Sequence, residues 1–319
     1  MKYKFITILH RLKLENILNK GKELIPGTRI SNGEKERNEI LNSDLLRWTA
    51  GSHSVDEFND TVYFYKYGVC KDIKTFDEMD NKGSNMTFTF LRDAQEFVNS
   101  LWRIKDNGVY VRDGFLIAYE KEIQDGRTYK ASLTETFKRA DGKQIDDIFT
   151  MKEIEEAIHT YTPFSLDEVD EESFGGKLPD TSLFYKSGDP GRLVKAFYFT
   201  LVARTSFALP MKIVFYCTAL ECLFSTSTTD LTHRISERVG IMIGTSQDEK
   251  IELYKFIKKV YGFRSTIIHG SSIKSNDQEL ISYSTKLDEI LRQLISAEHE
   301  VFSKNNDEMD KFFLEHIFM

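Results

Sequence analysis

The sequence predicts an α+β protein, with a β-rich N-terminal domain over residues 1–162 followed by an all-α bundle over residues 192–319. Three observations carry that expectation. Runs dense in aromatic and β-branched residues, such as Thr61-Val62-Tyr63-Phe64-Tyr65, fall in the first half, and such side chains suit a pleated, half-buried surface. Residues 163–191 crowd together Pro163, Gly175-Gly176, Pro179, Asp189-Pro190-Gly191 and the acidic run Asp167-Glu168-Val169-Asp170-Glu171-Glu172, the composition of a solvated linker. Beyond it, apolar residues recur at helical spacing almost to the end of the chain.

The first strand candidate begins at Lys4 and extends toward Leu14. Thr61 to Val69 is the second, and Met86-Thr87-Phe88-Thr89-Phe90 alternates with period two like a third. From Asp93 to Lys105, Ala94, Phe97, Val98, Leu101 and Trp102 fall at helical spacing, so one helix interrupts the strands. Asn107-Gly108 and Asp113-Gly114 are turn signals before Val109-Tyr110-Val111 and Phe115 to Tyr119. The aromatic strands have the chemistry to stack bases, but sheet faces use the same residues for their core. No glycine-rich phosphate loop, nucleophile elbow or metal-spaced histidine pair occurs in this half.

The helical half divides by its caps. Leu193, Phe197 and Leu201 mark a first helix that ends by Ala208, and Pro210 opens a second over Met211 to Phe224. Asp230 is placed to cap a third, striped by Leu231, Ile235, Val239 and Met242. Ser246-Gln247-Asp248-Glu249 reads as a capping box for a fourth, which Gly262 is expected to end. A short helix then carries Arg264 and His269. Ser275-Asn276-Asp277-Gln278 opens a long last helix striped by Leu280, Tyr283, Leu287, Ile290, Leu294 and Val301. Short loops between such helices favour an antiparallel bundle.

Composition narrows the function. With 319 residues there is material for two domains and a sizeable core. The net charge of −7 argues against a protein that coats nucleic acid by sheer positive charge, while leaving room for a local basic site. No apolar run approaches the roughly 20 residues that span a bilayer, so no membrane partner is expected. The N-terminus, Met1-Lys2-Tyr3-Lys4-Phe5-Ile6-Thr7-Ile8, lacks a small-residue cleavage site and reads as a strand. Cys70, Cys217 and Cys222 are too few and too poorly spaced for a disulfide framework or zinc site, which makes the cytoplasm the expected compartment.

Within Tyr261-Gly262-Phe263-Arg264-Ser265-Thr266-Ile267-Ile268-His269-Gly270, a permanent cation and a proton carrier stand five positions apart. Arginine grips phosphate with a planar fork of donors, and histidine exchanges a proton near neutral pH. On a regular helix the two leave the axis about 140° apart. Arg264, placed at or before a first turn, has the length to reach along a groove toward the imidazole, and Gly270 removes bulk where a phosphate would approach. The alternative is an arginine on a carboxylate and a histidine satisfying helix-end carbonyls.

Ala219-Leu220-Glu221-Cys222-Leu223-Phe224, then Arg234-Ile235-Ser236-Glu237-Arg238-Val239, then Arg264 to His269 with Gly270, resemble in order the HEPN superfamily, and look most like its Apea-like branch. The resemblance covers about residues 192–305 and leaves the region before about residue 190 uncovered. It implies an all-helical bundle in which an Arg-x4–6-His motif cuts RNA without a metal or other cofactor, across the interface of a homodimer. Carried over, Arg264 and His269 are the catalytic pair and RNA the substrate. It also implies a variable N-terminal region, here read as a sensor of a phage-derived trigger, and a role in prokaryotic antiphage defence or toxin-like growth arrest.

Glu221 either orients Arg264 or accepts from His269, or is a salt bridge of the bundle. Arg234 and Arg238, one turn apart, would grip RNA phosphates or else pair with Glu237 or Glu221. His233 reads as a surface residue without a partner, and Cys217 and Cys222 as core thiols. Two other functions fit the same sequence: a non-catalytic dimerisation or RNA-binding module with a ligand-sensing N-terminal domain, and an RNA-binding partner of a separate nucleotidyltransferase.

Overall fold

The structure, a computed structural model, describes residues 1–41, 43–163, 191–271 and 275–318. The acidic run and most of the expected linker lie outside the described residues. The protein is a mixed fold, an N-terminal antiparallel sheet domain followed by a helical region.

In the first unit, β1 (Lys2–Ile8) is the inner strand of a six-stranded sheet. The others are β3 (Lys22–Ile25), β4 (Thr28–Ser31), β5 (Tyr63–Val69), β6 (Asp113–Tyr119) and β7 (Arg127–Ser132), in the order β3-β4-β5-β1-β6-β7 with every pair antiparallel. Phe5 stands between Lys66 and Leu116, and Ile6 between Tyr65 and Phe115. Both are fully buried because each face of the sheet is covered. Ile6 and Ile8 join Tyr63, Tyr65, Phe115 and Ile117 in a core with residues of α1 (Glu34–Leu41), α2 (Asp44–Ala50) and α3 (Ser52–Asp56). Tyr3 and Phe5 point the other way, onto Phe90 of α4 (Phe76–Ile104), at ring-centroid distances of 5.2 and 5.5 Å. Two-sided burial explains why the second half of β1, Phe5 to Ile8, is buried at every position rather than at alternate ones.

The sequence-based expectation for Met86 to Phe90 is overturned. These residues lie inside α4, a helix of 29 residues opened by a Thr75–Glu78 capping box. Thr87 and Thr89 donate their hydroxyls to the carbonyls of Gly83 (2.6 Å) and Asn85 (3.1 Å) one turn back. That satisfies them inside a helix and hides the helical period behind an apparent alternation. Gly83 is required by a close approach, because a Cβ there would stand 2.5 Å from the Tyr129 ring. The N-terminal domain is thus less β-rich than its sequence suggests. Val109 to Val111 is not a strand either. The Asn107 side chain caps its own turn onto Val109 N–H (3.1 Å), Asp147 accepts from Gly108 N–H (2.8 Å), and Tyr110 makes a single bridge to His10. After β7 the chain adds β8 (Asp147–Phe149), parallel to β2 (Leu12–Leu14), and α5 (Met151–Thr160).

The second unit holds α6 (Arg192–Thr205), α7 (Leu209–Phe224), α8 (Leu231–Ile243), α9 (Gln247–Ile268), α10 (Asp277–Ala297) and α11 (Asn306–Ile317). It also takes residues 137–143 from the middle of what reads as the N-terminal domain. That short segment is tied in by its backbone: Lys138 N–H donates to the Arg204 carbonyl (2.9 Å), and Ser284 donates to that of Ala140 (2.6 Å). The fully buried Lys212 ammonium points at the carbonyls of Ala203 (3.1 Å), Arg204 and Lys138 (both 3.5 Å). A cation thereby closes the C-terminal end of α6, where the helix dipole is negative.

α7 is the buried centre of this unit, with Ile213, Tyr216, Cys217, Ala219, Leu220, Leu223 and Phe224 fully covered, and it packs on α6, α8, α9 and α10. Three cap expectations change. Asp230 takes the N-cap position of α8 in a left-handed conformation (φ 52°) and makes no side-chain cap bond. Ser246 caps α9 by accepting from Glu249 N–H, while the Glu249 carboxylate reaches one residue further back, to Thr245. Asn276 rather than Ser275 caps α10, accepting from Glu279 N–H (2.9 Å). α10 stops at Ala297, where Glu298 turns left-handed (φ 45°), so it is followed by a 3-10 turn and α11 rather than running to Val301.

Gly262 does not end a helix. α9 runs through it for 22 residues. One exposed glycine costs about 1 kcal/mol against alanine. The apolar stripe of Leu253, Ile257, Val260, Tyr261 and Phe263 stays buried on both sides of it, and burying each such side chain is worth about 1.5–3 kcal/mol. Packing therefore outweighs propensity here.

Candidate functional site at the end of helix α9

Arg264 consequently sits in the last turns of a long helix, not at the start of a short one. Its neighbour one turn back on the same face is Tyr261, and both dock on α7. The Tyr261 hydroxyl, buried, donates to the Cys217 carbonyl (3.1 Å). That carbonyl closes the turn carrying Glu221, whose carboxylate lies against Arg264, with Nη2 at 3.1 Å from one oxygen and 3.3 Å from the other. The spacing i, i+3 on α9 thus meets i, i+4 on α7, and two residues of each helix lock the pair together.

The lock is incompletely satisfied. Glu221 Oε1 makes no well-aligned hydrogen bond despite its 3.1 Å approach to Arg264, and Arg264 Nε is buried without an acceptor among the described residues. Burial pushes the Glu221 carboxyl above its ordinary value, although Arg264 and the Tyr261 hydroxyl both pull it down. Burial also pushes up the thiol of Cys217, and that of Cys222 to about 11, so neither is a ready thiolate. The Glu221 and Arg264 side chains remain 20% and 29% exposed, so this ion pair stands at the rim of the core rather than inside it.

His269 occupies the C-cap of α9 and is exposed. Gly270 N–H donates to the Ile267 carbonyl (3.1 Å) and Ser271 N–H to that of Thr266 (3.0 Å), the paired bonds of a Schellman ending. Gly270 adopts φ 69°. The glycine after the histidine is therefore demanded by the backbone. The same two bonds satisfy the helix-end carbonyls, so the imidazole does not. Its ring has no hydrogen-bond partner among the described residues. Within one chain the site is not assembled: Arg264 and His269 are about 7.5 Å apart along the helix and about 140° around it.

The remaining site residues are placed differently from their sequence-based roles. Arg238 is buried with a side chain only 5% exposed; it donates to the Phe224 carbonyl (2.6 Å), pairs with Asp310 of α11 and lies 4.9 Å from the Phe313 ring centroid. Arg234 shares Asp310 at 3.5 Å. Neither pairs with Glu237 or Glu221, and Arg238 is no phosphate grip, because its donors are spent inside the unit. Partial burial would raise the Asp310 carboxyl, but hydrogen bonds from Thr226 and Arg238 outweigh that and hold it below its ordinary value. His233 has a partner after all: its Nδ1 shares a 2.9 Å hydrogen bond with the Tyr254 hydroxyl, and its Nε2 is 3.8 Å from Glu237. Cys217 is buried and Cys222 half-buried.

Tyr261 and Asp310 are the site residues that sequence reasoning misses. The Tyr261–Arg264 spacing opposite Cys217–Glu221 was a usable signal for the first. Asp310 lies 72 residues from Arg238, and nothing local points to it. Among the described residues, no cluster of three or more His, Cys, Asp or Glu is placed to hold a metal ion, and no helix is long and apolar enough to cross a membrane. Comparison with family models, with curated proteins and with solved structures finds no match.

Proposed function

We propose that the helical unit is a HEPN-type bundle of the Apea-like kind and that the chain is a cytoplasmic, metal-independent endoribonuclease. The observation that carries this reading is the end of α9. It leaves the imidazole of His269 exposed, with no hydrogen-bond partner among the described residues, while Arg264, ion-paired with Glu221, keeps 29% of its side chain exposed. RNA supplies its own nucleophile. The 2′-oxygen bonds to the adjacent phosphorus as its proton passes to one His269, and the phosphorus–5′-oxygen bond breaks as the leaving oxygen takes a proton from the His269 of a second copy. Arg264 neutralises charge on the phosphoryl oxygens. One histidine cannot stand on both sides of a phosphate, and one chain does not bring its own pair together, so a two-fold dimer is part of the mechanism. The products are a 2′,3′-cyclic phosphate and a 5′-hydroxyl.

In this reading the N-terminal unit senses a phage-derived trigger and restrains the cutter, and the output is antiphage defence or growth arrest. A few kcal/mol between restrained and released states would hide most of the activity. One observation favours a second reading, a non-catalytic dimerisation or RNA-binding module: Glu221 already occupies Arg264, as in an ordinary salt bridge. Sequencing RNA ends after inducing the wild type and His269→Ala in a bacterial host separates the two. Cyclic-phosphate ends that appear with the wild type and vanish with the variant support the enzyme. Equal ends from both leave only the module. Light scattering of the full chain tests the second half, since a monomer that cuts RNA refutes the shared site.

A further inference from the structure

The exposed face of α9 has a composition that the lock with α7 does not explain. Lys255, Lys258, Gly262, Ser265 and His269 are all exposed, and at 100° per residue they fall within an arc of about 80°. Lys255 and Lys258 are three apart, a like-charge arrangement that costs helix stability. Neither forms an ion pair among the described residues, whereas the adjacent Lys259 is bound to Glu279 at 2.8 Å. Gly262 stands midway along the same line. Its conformation is helical, and a Cβ there would meet nothing within 4 Å. Neither backbone nor packing asks for glycine, which is a poor helix former, yet it leaves a gap in the side-chain row where another backbone can come close.

Resting on the endoribonuclease reading, we propose that this face is a track for the phosphate backbone of single-stranded RNA. Lys255 and Lys258 each take a phosphate, Gly262 lets the strand lie against the helix, and the line delivers the next phosphates to His269. Successive turns along the track are about 5.4 Å apart, a spacing at which side chains one turn apart engage separate phosphates. This assigns substrate binding to α9 rather than to Arg234 and Arg238, whose donors Asp310 holds. The match of charge is local, which reconciles RNA binding with a chain whose net charge is −7.

The test uses full-length protein carrying His269→Ala, so that RNA stays intact, and a labelled single-stranded oligouridine titrated at several salt concentrations. Lys255→Gln with Lys258→Gln is expected to weaken binding roughly tenfold and to flatten the slope of log affinity against log salt by about 1.4, at about 0.7 for each phosphate no longer neutralised. Gly262→Leu is expected to weaken it several-fold without loss of helix by circular dichroism. Lys286→Gln with Lys311→Gln, two exposed lysines elsewhere in the helical unit, is expected to change neither. Equal losses from both pairs, no loss from either, or no binding by the parent overturns the track. The fate of the ribonuclease reading is read separately from cleavage by protein retaining His269. Binding that depends on Lys255 and Lys258 without cleavage sinks the enzyme and leaves the track. Cleavage with an unchanged salt slope does the reverse.

Discussion

Two arginines on neighbouring helices, Arg238 and Arg264, carry the same charge into the same unit and end in opposite situations. Arg238 is complete: a carbonyl, a carboxylate and an aromatic face account for its guanidinium, and almost none of it meets solvent. Arg264 is incomplete: its acid among the described residues is a carboxylate that burial makes reluctant to ionise, its buried Nε has no acceptor among them, and nearly a third of the side chain is open. A saturated arginine is architecture. Arg264 keeps part of its side chain at the surface, and exposure with incomplete hydrogen bonding, more than charge, is what distinguishes the two.

That contrast is broken or sharpened by substitution. The largest effect expected is on cleavage: His269→Ala and Arg264→Ala each lose at least about a hundredfold in rate, about 2.7 kcal/mol of barrier, with His269→Ala unfolding at the same urea concentration as the parent. Arg264→Lys recovers only part, lacking the fork. The rates should be indifferent to EDTA, and full cleavage by His269→Ala would end the assignment. Next, Arg238→Ala is expected to cost about 2 kcal/mol of stability, because it orphans a buried carbonyl and empties a packed site. A loss in urea denaturation no larger than that of an exposed arginine would show that Arg238 is not the structural member of the pair.

Smaller effects probe the lock itself. Tyr261→Phe keeps the ring and removes one hydrogen bond, for about 1 kcal/mol. Because the hydroxyl lowers the Glu221 carboxyl, the same variant should raise its titration further, which carboxyl-carbon NMR would detect; an unmoved titration separates Tyr261 from the site. The smallest effect concerns pH. The folded chain holds the Glu221 proton to higher pH than the ordinary value of 4.5. The folded state therefore binds more protons than the unfolded state in that window, and stability declines as pH rises from the ordinary value through the raised one. Glu221→Gln should remove that decline from a series of urea curves, and an identical slope in the variant would refute the buried-carboxylate account.

What the sequence made legible follows from where the deciding forces lie. β1, β5 and β6 are readable because burial on both faces writes aromatic and β-branched runs into them. β3, β4 and β7 are short or polar, and only the Pro26-Gly27 turn, with Gly27 at φ 79°, announces the first two. α4 is misread because its threonines mask the period, and α9 because a lone glycine is a weak stop when an apolar stripe continues through it. At the site, the Glu221–Arg264 partnership was one of the stated alternatives, since both residues sit beside apolar stripes. The orientation of His269 was not readable, because it depends on α9 continuing, and Asp310 was not, because long-range ion pairs leave no local period.

Residues 137–143 carry a consequence for how the protein is made. Lys138 offers its carbonyl to a lysine 74 residues further along the chain, and translation at about 5–20 residues per second takes roughly 4–15 seconds to supply it. During that interval the emerging segment has no helices to dock on, while β8 and α5, synthesised after it, already belong to the sheet domain. A fragment begun at the linker would be born without this segment, and the carbonyls it contributes around Lys212 would be missing. A fragment meant to hold the whole helical unit therefore begins before Phe137 rather than after residue 163.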